Sequence, residues 1–320
     1  MKALLFTENK LTLSENVPPP LPAADEALIR VTCAGICATD LEIIKGYMGF
    51  EGILGHEFVG IVEECSKKNL VAKRVTGEIN IACGKCPCCQ KNREKHCPER
   101  SVLGILDKNG AFAQYLTLPV KNLHLIPDSV SDEEAVFIEP LAAAFEILEQ
   151  INISHVDKVC VIGDGRLGNL AAQVVAMTGC KLFVEGKYEE KLAILQERGI
   201  TTRTIANLHP EKRGDFDIVI DCTGSSSGME RAMKLVRPEG TIVLKSTLAG
   251  ERTFDFNQLV IDEITLIGSR CGPFEPAIKA LENKSADVKP LMSKVFTLEN
   301  GLEAFDYAAQ KGTLKVLLKA

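Results

Sequence analysis

The sequence predicts an α/β protein in two parts: a doubly wound parallel sheet in the second half and a mainly antiparallel β domain in the first. Three observations carry that expectation. From Asp157 onward, short apolar runs alternate with amphipathic helical stretches, the pattern of strand–helix–strand units whose strands lie parallel. The first of those runs, KVCVIG, leads into Gly163-x-Gly165-x-x-Gly168 at the head of a helix. Residues 1 to 31 instead alternate apolar and polar positions in KALLFT, KLTLSE and ALIRVTCAG, separated by PPPLP, as half-solvated antiparallel strands do.

Composition narrows the class. The 320 residues suit two domains at roughly 150 residues each. An apolar fraction of 46% and a charged fraction of 25% describe an ordinary globular chain. The net charge of −6 argues against a nucleic-acid partner or a polybasic membrane surface. No apolar run approaches the ~20 residues that span a bilayer. The opening MKALLFTENK breaks its apolar patch at Thr7, Glu8 and Asn9, so it reads as no signal peptide and the expected location is cytoplasmic. Twelve cysteines in a large acidic chain without an export signal point to metal binding rather than disulfides.

Two metal sites are legible. In CAGICATDLEIIKGYMGFEGILGHEFVG, residues 33–60, Cys37, His56 and Glu57 offer a thiolate, an imidazole and an acid, the donors that zinc favours. Zinc held by few protein ligands keeps an open position for Lewis-acid work. The plainer alternative is a buried thiol beside a hydrogen-bonded core histidine. Residues 39–45 read as a short helix capped by Thr39 or Asp40, and Asp40 is placed to accept the second ring proton of His56. In residues 82–100, Cys83, Cys86, Cys89 and Cys97 have the spacing of a closed four-thiolate site in a segment with no core of its own. An iron–sulfur cluster or a redox-reactive loop is the alternative there. Cys88 is surplus and His96 a solvated neighbour. From Ser131 the text reads as a helix opened by a capping box with Glu134; Glu139, before Pro140, reads on its own as exposed.

The glycine motif has the context of a dinucleotide-binding Rossmann unit. Gly163 permits the tight turn, Gly165 admits the pyrophosphate, and Gly168 lets helix and strand pack closely. The next strand, KLFVEG, ends in Glu185, an acceptor for the adenosine ribose hydroxyls that disfavours a 2′-phosphate and hence favours NAD over NADP; Lys187 acts the other way. Candidate cofactor contacts are Gly163, Gly165, Arg166, Leu167, Gly168, Glu185, Thr223 and Arg270, with a structural ion pair as the alternative for Arg270. TTRTIA, DIVIDCTG, GMERAMKLV, GTIVLKST and ITLIGSRCG continue the alternation, with a truncated unit expected around residues 206–216. AFDYAAQKGTLKVLLKA reads as a helix and a strand that rejoin the first domain, with Lys315 on a solvated face.

The motifs AGICATD, GHEFVG, CGKCPCCQKNREKHC, IEPLAAA, VIGDGRLG, DCTGS and GTIVL stand in one order along nearly the whole chain. In that series the chain resembles the zinc-dependent medium-chain alcohol and polyol dehydrogenases, the group that includes sorbitol and threonine dehydrogenases. The resemblance implies a GroES-like catalytic domain over residues 1–140, an inserted NAD-binding domain over 141–272 and a return to the catalytic domain over 273–320. It implies two zinc ions: a catalytic one on Cys37, His56 and Glu139, and a structural one on the four cysteines. Glu57 then corresponds to an acid that transiently coordinates the metal, and Thr39 to the hydroxyl that takes the substrate's proton. A small alcohol or carbonyl substrate and a homodimer or homotetramer are implied as well. Some positions depart from the family: Ala38 lacks a basic side chain, Glu42 stands at a relay histidine's position, Ala72-Lys73-Arg74-Val75 replaces a Gly-Asp-Arg-Val turn, and the segment 46–54 is short. These put the substrate in question, and Thr39, Tyr47, Phe50, Phe112 and Phe274 are pocket candidates equally explicable as core. The alternative functions are a zinc-free reductase of the same superfamily and a silent nucleotide or zinc sensor.

Overall fold

Alternation of burial along Glu26–Ile36 (β1) shows why this stretch is the spine of the first sheet: Ala27, Ile29, Val31 and Cys33 turn inward while Leu28, Arg30 and Thr32 remain half-covered. In this computed structural model, which describes residues 1–207, 214–247, 254 and 256–320, β1 is followed directly by helix Ala38–Ile43 (α1). Glu57–Cys65 (β2) returns antiparallel to β1, with Glu57 opposite Gly35. Arg74–Gly77 (β3) pairs with β2, Tyr115–Pro119 (β4) with β1, and Leu123–Leu125 (β5) with β3. A separate three-stranded sheet joins Lys10–Ser14, Ala3–Thr7 and Gly52–Ile53.

The helix expected from Ser131 is two helices. Asp132–Ala135 has the predicted capping box, Ser131 Oγ accepting from Glu134 N at 3.2 Å and Ser131 N donating to Glu134 Oε2 at 3.0 Å. The chain then restarts as Ile138–Gln150 (α2), with Pro140 in its first turn. Proline lacks an N–H and its ring crowds the carbonyl four residues back, so it fits a first turn and not the middle of a continuous helix.

The parallel sheet follows in order: Lys158–Ile162 (β6), helix Arg166–Ala176 (α3), Lys181–Gly186 (β7), helix Glu189–Gln196 (α4) and Thr201–Thr204 (β8). Phe216–Asp221 (β9), helix Ser226–Leu235 (α5), Val236–Leu244 (β10), helix Asn257–Ile261 (α6) and Thr265–Gly268 (β11) complete it. Strand order is β8-β7-β6-β9-β10-β11, every pairing parallel. The order reverses between β6 and β9, and in such sheets ligands bind beyond the carboxyl ends at that switch point. Of the unit expected around 206–216, a 3-10 turn Ile205–Asn207 is seen, and residues 208–213 lie outside the described residues.

Met292–Thr297 (β12) and Lys315–Lys319 (β13) then return to the first sheet, β13 lying between β12 and β1. The described residues fall into two units: Met1–Glu139 with Ala277–Glu282 and Leu291–Ala320, and Pro140–Pro276 with Asn283–Pro290.

Candidate active site

Cys37 stands where β1 gives way to α1, and His56 and Glu57 open β2, so the pairing of Gly35 with Glu57 carries all three to one end of the sheet. Their ligand atoms lie within 4.8 Å of one another. Asp40, one turn into α1, serves both other residues. Its Oδ2 accepts from Cys37 N at 2.8 Å, which makes Cys37 the cap position rather than Thr39 or Asp40. Its Oδ1 lies 3.3 Å from His56 Nδ1, and neither of those atoms has another partner. Burial disfavours a charged ring, yet the carboxylate of Asp40 and the sulfur of Cys37 outweigh it and hold the His56 pKa well above the ordinary histidine value. A proton held there is one a metal would displace. Thr39 Oγ1 is 3.7 Å from Cys37 Sγ. Three such donors, a thiolate, an imidazole and a carboxylate, converging among the described residues suit a zinc ion with an open position.

Glu139 lies in the first turn of α2, half-buried, and is not among the residues brought within 4.8 Å. Glu57 occupies that place in the group. Its Oε2 is paired with Lys315 Nζ, both side chains 1% exposed, and its Oε1 has no partner among the described residues. Lys315 is therefore not on a solvated face. β13 is hydrogen-bonded along both edges and buried over its first four residues, so the usual in–out alternation gives that lysine no way to water.

The second cluster is closed. Sγ–Sγ distances are 3.5 Å for Cys86–Cys89 and Cys97–Cys83 and 3.8 Å for Cys86–Cys97. A tetrahedron of sulfurs around zinc at ~2.3 Å has edges of about 3.8 Å, whereas a disulfide closes to ~2.05 Å. All four thiols are free, and so is Cys88, which is not among the four that converge.

The turn after β6 is built as its glycines require. Gly163 adopts φ +118°, and a β-carbon on Gly168 would lie 1.9 Å from Gly163 O. Arg166 and Leu167, half-buried, form the first turn of α3. Thr223 N donates to the buried Asp221 Oδ1 at 2.8 Å at the carboxyl end of β9. Arg270 is exposed after β11; its carbonyl accepts from the buried Lys245 Nζ at 3.0 Å, which also reaches Ala143 O and Ser269 Oγ.

Glu185, expected to face the adenosine ribose, is buried at the end of β7. Its side chain is fully buried, Arg231 Nε and Nη2 grip its two oxygens at 2.8 Å each, and Arg203 Nη2 pairs with it at 2.5 Å. The carboxylate is held by one arginine from α5 and one from β8. Arg203 is its register partner on β8, a relation visible only once the strands are paired. Lys245, Arg203, Arg231 and the burial of Lys315 were all missed by motif reading. Only Lys315 carried a sequence signal, a charged residue at the head of the apolar run VLL.

Among the proposed pocket aromatics, Phe112 is wholly buried and packs edge-to-face on Phe305 at 5.7 Å. Phe50 and Phe274 are buried and Tyr47 half-buried. A cavity of about 390 Å³ opens along the short segment 46–54, and of these aromatics Phe50 alone lines it, with Met48, Glu51, Leu106, Lys108 and Asn109.

Residues 23–128 match the family described as the alcohol dehydrogenase GroES-like domain, and residues 167–285 the family of zinc-binding dehydrogenases. A sorbitol dehydrogenase of Halalkalibacterium halodurans is 29% identical, covering 99% of each chain. Among solved structures, an alcohol dehydrogenase (rspB) of E. coli CFT073 complexed with NADH is 27% identical, with a TM-score of 0.91 over 100% of this chain and 99% of that one. A Sinorhizobium meliloti 1021 protein bound to NADP is 26% identical, with a TM-score of 0.90 over 100% of this chain and 99% of that one.

Proposed function

We propose, from the premise that this chain belongs to the zinc-type medium-chain alcohol dehydrogenase family, that the Cys37–His56–Glu57 convergence is the seat of its reaction. The protein is an oxidoreductase that moves a hydride between an alcohol or polyol, or the corresponding carbonyl, and a nicotinamide dinucleotide. The single observation that carries the assignment of the site is that, among the described residues, the zinc-competent donors of Cys37, His56 and Glu57 converge within 4.8 Å.

Zinc held by these residues would supply Lewis-acid activation of a substrate hydroxyl, and a bound nicotinamide would supply the hydride chemistry. The chain does the rest. Asp40 holds the Cys37 backbone with one oxygen and faces the His56 ring with the other, fixing which ring nitrogen is free for a metal. Thr39 Oγ1 receives the proton that leaves the substrate hydroxyl. Glu139, in the first turn of α2, would serve as the third ligand, and Glu57 Oε1, without a partner among the described residues while Oε2 is tied to Lys315, would be the acid that coordinates the metal transiently. Gly163, Gly165 and Gly168 let the backbone approach the pyrophosphate at the N-terminus of α3. The dinucleotide is NAD, and the chain carries two zinc ions, the second on Cys83, Cys86, Cys89 and Cys97.

The protein acts as a homo-oligomer. β11 is a sheet edge with Leu266 partly exposed, and Val260 and Ile261 beside it are 70% and 73% exposed, which suits a second copy of the chain. Ile261→Lys is expected to lower the mass measured by light scattering.

Zinc per chain, measured by elemental analysis on the protein and on Cys37→Ala, tests the site. A fall from about two ions to about one, one per site, supports it. An unchanged count confines metal to the cysteine lobe and returns the zinc-free reductase. An NAD-linked screen of polyols and secondary alcohols then names the substrate.

A further inference from the structure

The carboxylate that strand β7 withholds is present elsewhere. Dinucleotide sheets place an acid about 20 residues beyond the glycine turn, at the end of the second strand, to accept the adenosine ribose 2′-hydroxyl. Here the last acid of that strand, Glu185, is sealed by Arg231 and Arg203, and the strand ends in Gly186, which has no side chain to offer. Into that space comes Asp164, from the middle of the glycine turn. A β-carbon built on Gly186 would lie 2.6 Å from Asp164 Oδ2 and 2.8 Å from its Cγ, so the Asp164 carboxylate fills the volume where a strand-end side chain would begin. Lys187 N and Tyr188 N both donate to Asp164 Oδ2 at 2.6 Å. Those two amides orient the carboxylate and leave Oδ1, which accepts from no described residue, while Asp164 as a whole is 8% exposed.

We propose that Asp164 is the residue that selects the adenosine ribose, its Oδ1 accepting the 2′-hydroxyl and its charge rejecting a 2′-phosphate. The acid has moved from the end of the second strand to the glycine turn, and Gly186 is the position that makes room for it. Lys187 donates its backbone N–H to the same carboxylate, so its cationic side chain starts beside an anion already in place. This rests on the dinucleotide reading given above and deepens it.

The test is a pair of fluorescence titrations with NADH and NADPH; the chain has no tryptophan, so nicotinamide emission is read without interference. The unsubstituted protein is expected to bind NADH about tenfold or more tighter, the worth of a hydrogen bond to a charged acceptor. Asp164→Asn keeps a carbonyl oxygen for the two amides and removes the charge; the NADH:NADPH ratio is expected to fall about tenfold, toward unity. Lys187→Met is expected to keep the preference for NADH. A preference for NADPH in the unsubstituted protein that Lys187→Met abolishes overturns the proposal without any Asp164 variant. So does a ratio that Asp164→Asn leaves unchanged. Failure of either dinucleotide to bind the unsubstituted protein overturns the dinucleotide reading itself, and is told apart from the other two outcomes by the missing signal.

Discussion

Replacing Lys315 by methionine keeps most of the side-chain volume and removes one charge from a pair in which both partners are 1% exposed. Glu57 then remains in the interior with its Oε2 unpaired, in addition to the Oε1 that already lacks a partner. Breaking a buried pair from one side costs about 3–5 kcal/mol, because the other charge stays desolvated. For a unit of this size each kcal/mol lowers the melting temperature by about 2–4 °C, so the metal-free variant should melt about 6–20 °C below the parent. Glu57→Gln together with Lys315→Met removes both charges, and the double variant should recover much of that loss. Melting followed by circular dichroism, on metal-free and zinc-loaded protein, measures all four corners of the cycle. Zinc should narrow the gap for Lys315→Met, since a released Glu57 gains a cation to coordinate. The reasoning is refuted if Lys315→Met melts within about 2 °C of the parent. It is refuted equally if the two substitutions simply add.

Three further outcomes follow from the geometry. Glu139→Ala should lose the zinc of the open site, while Glu57→Ala should keep it and slow turnover; the opposite pattern, read by elemental analysis, makes Glu57 the resident ligand. Cys97→Ser should lose one zinc and render residues 82–100 sensitive to limited proteolysis, because that lobe is held by its four sulfurs. Burial pushes the Glu26 carboxyl up, but Lys108 Nζ at 2.5 Å and the Ala23 N–H outweigh it and hold its pKa below the ordinary carboxyl value. The pair's contribution is therefore present at neutral pH and lost as pH falls through the lowered value of the folded state. Lys108→Met should cost about 1 kcal/mol at pH 7 and nothing once Glu26 is protonated, as paired urea titrations would show.

What the sequence could reveal was whatever is local. The glycine turn, the cysteine spacing and the capping box at Ser131 depend on residues within a few positions of one another, and each is built as its spacing requires. Cys37 and His56 were recognisable by their surroundings, although their meeting needs the pairing of β1 with β2. The ion pairs of Glu185 were not legible, because its two arginines come from β8 and α5, distant in sequence. Asp164 hid in the motif itself, at a position that the glycine pattern treats as free. Lys315 was read as solvated because one strand in isolation does not show that both its edges are paired.

The tie between Glu57 and Lys315 spans 258 positions of chain. Translation at about 5–20 residues per second separates their synthesis by roughly 13–50 s. Throughout that interval Glu57 has yet to meet Lys315, and β1 lacks the neighbour that β13 will later supply. The nucleotide-binding strands, from Lys158 to Gly268, emerge complete within the same wait. The half of the molecule that begins first is thus finished last, when β13 takes its place beside β1.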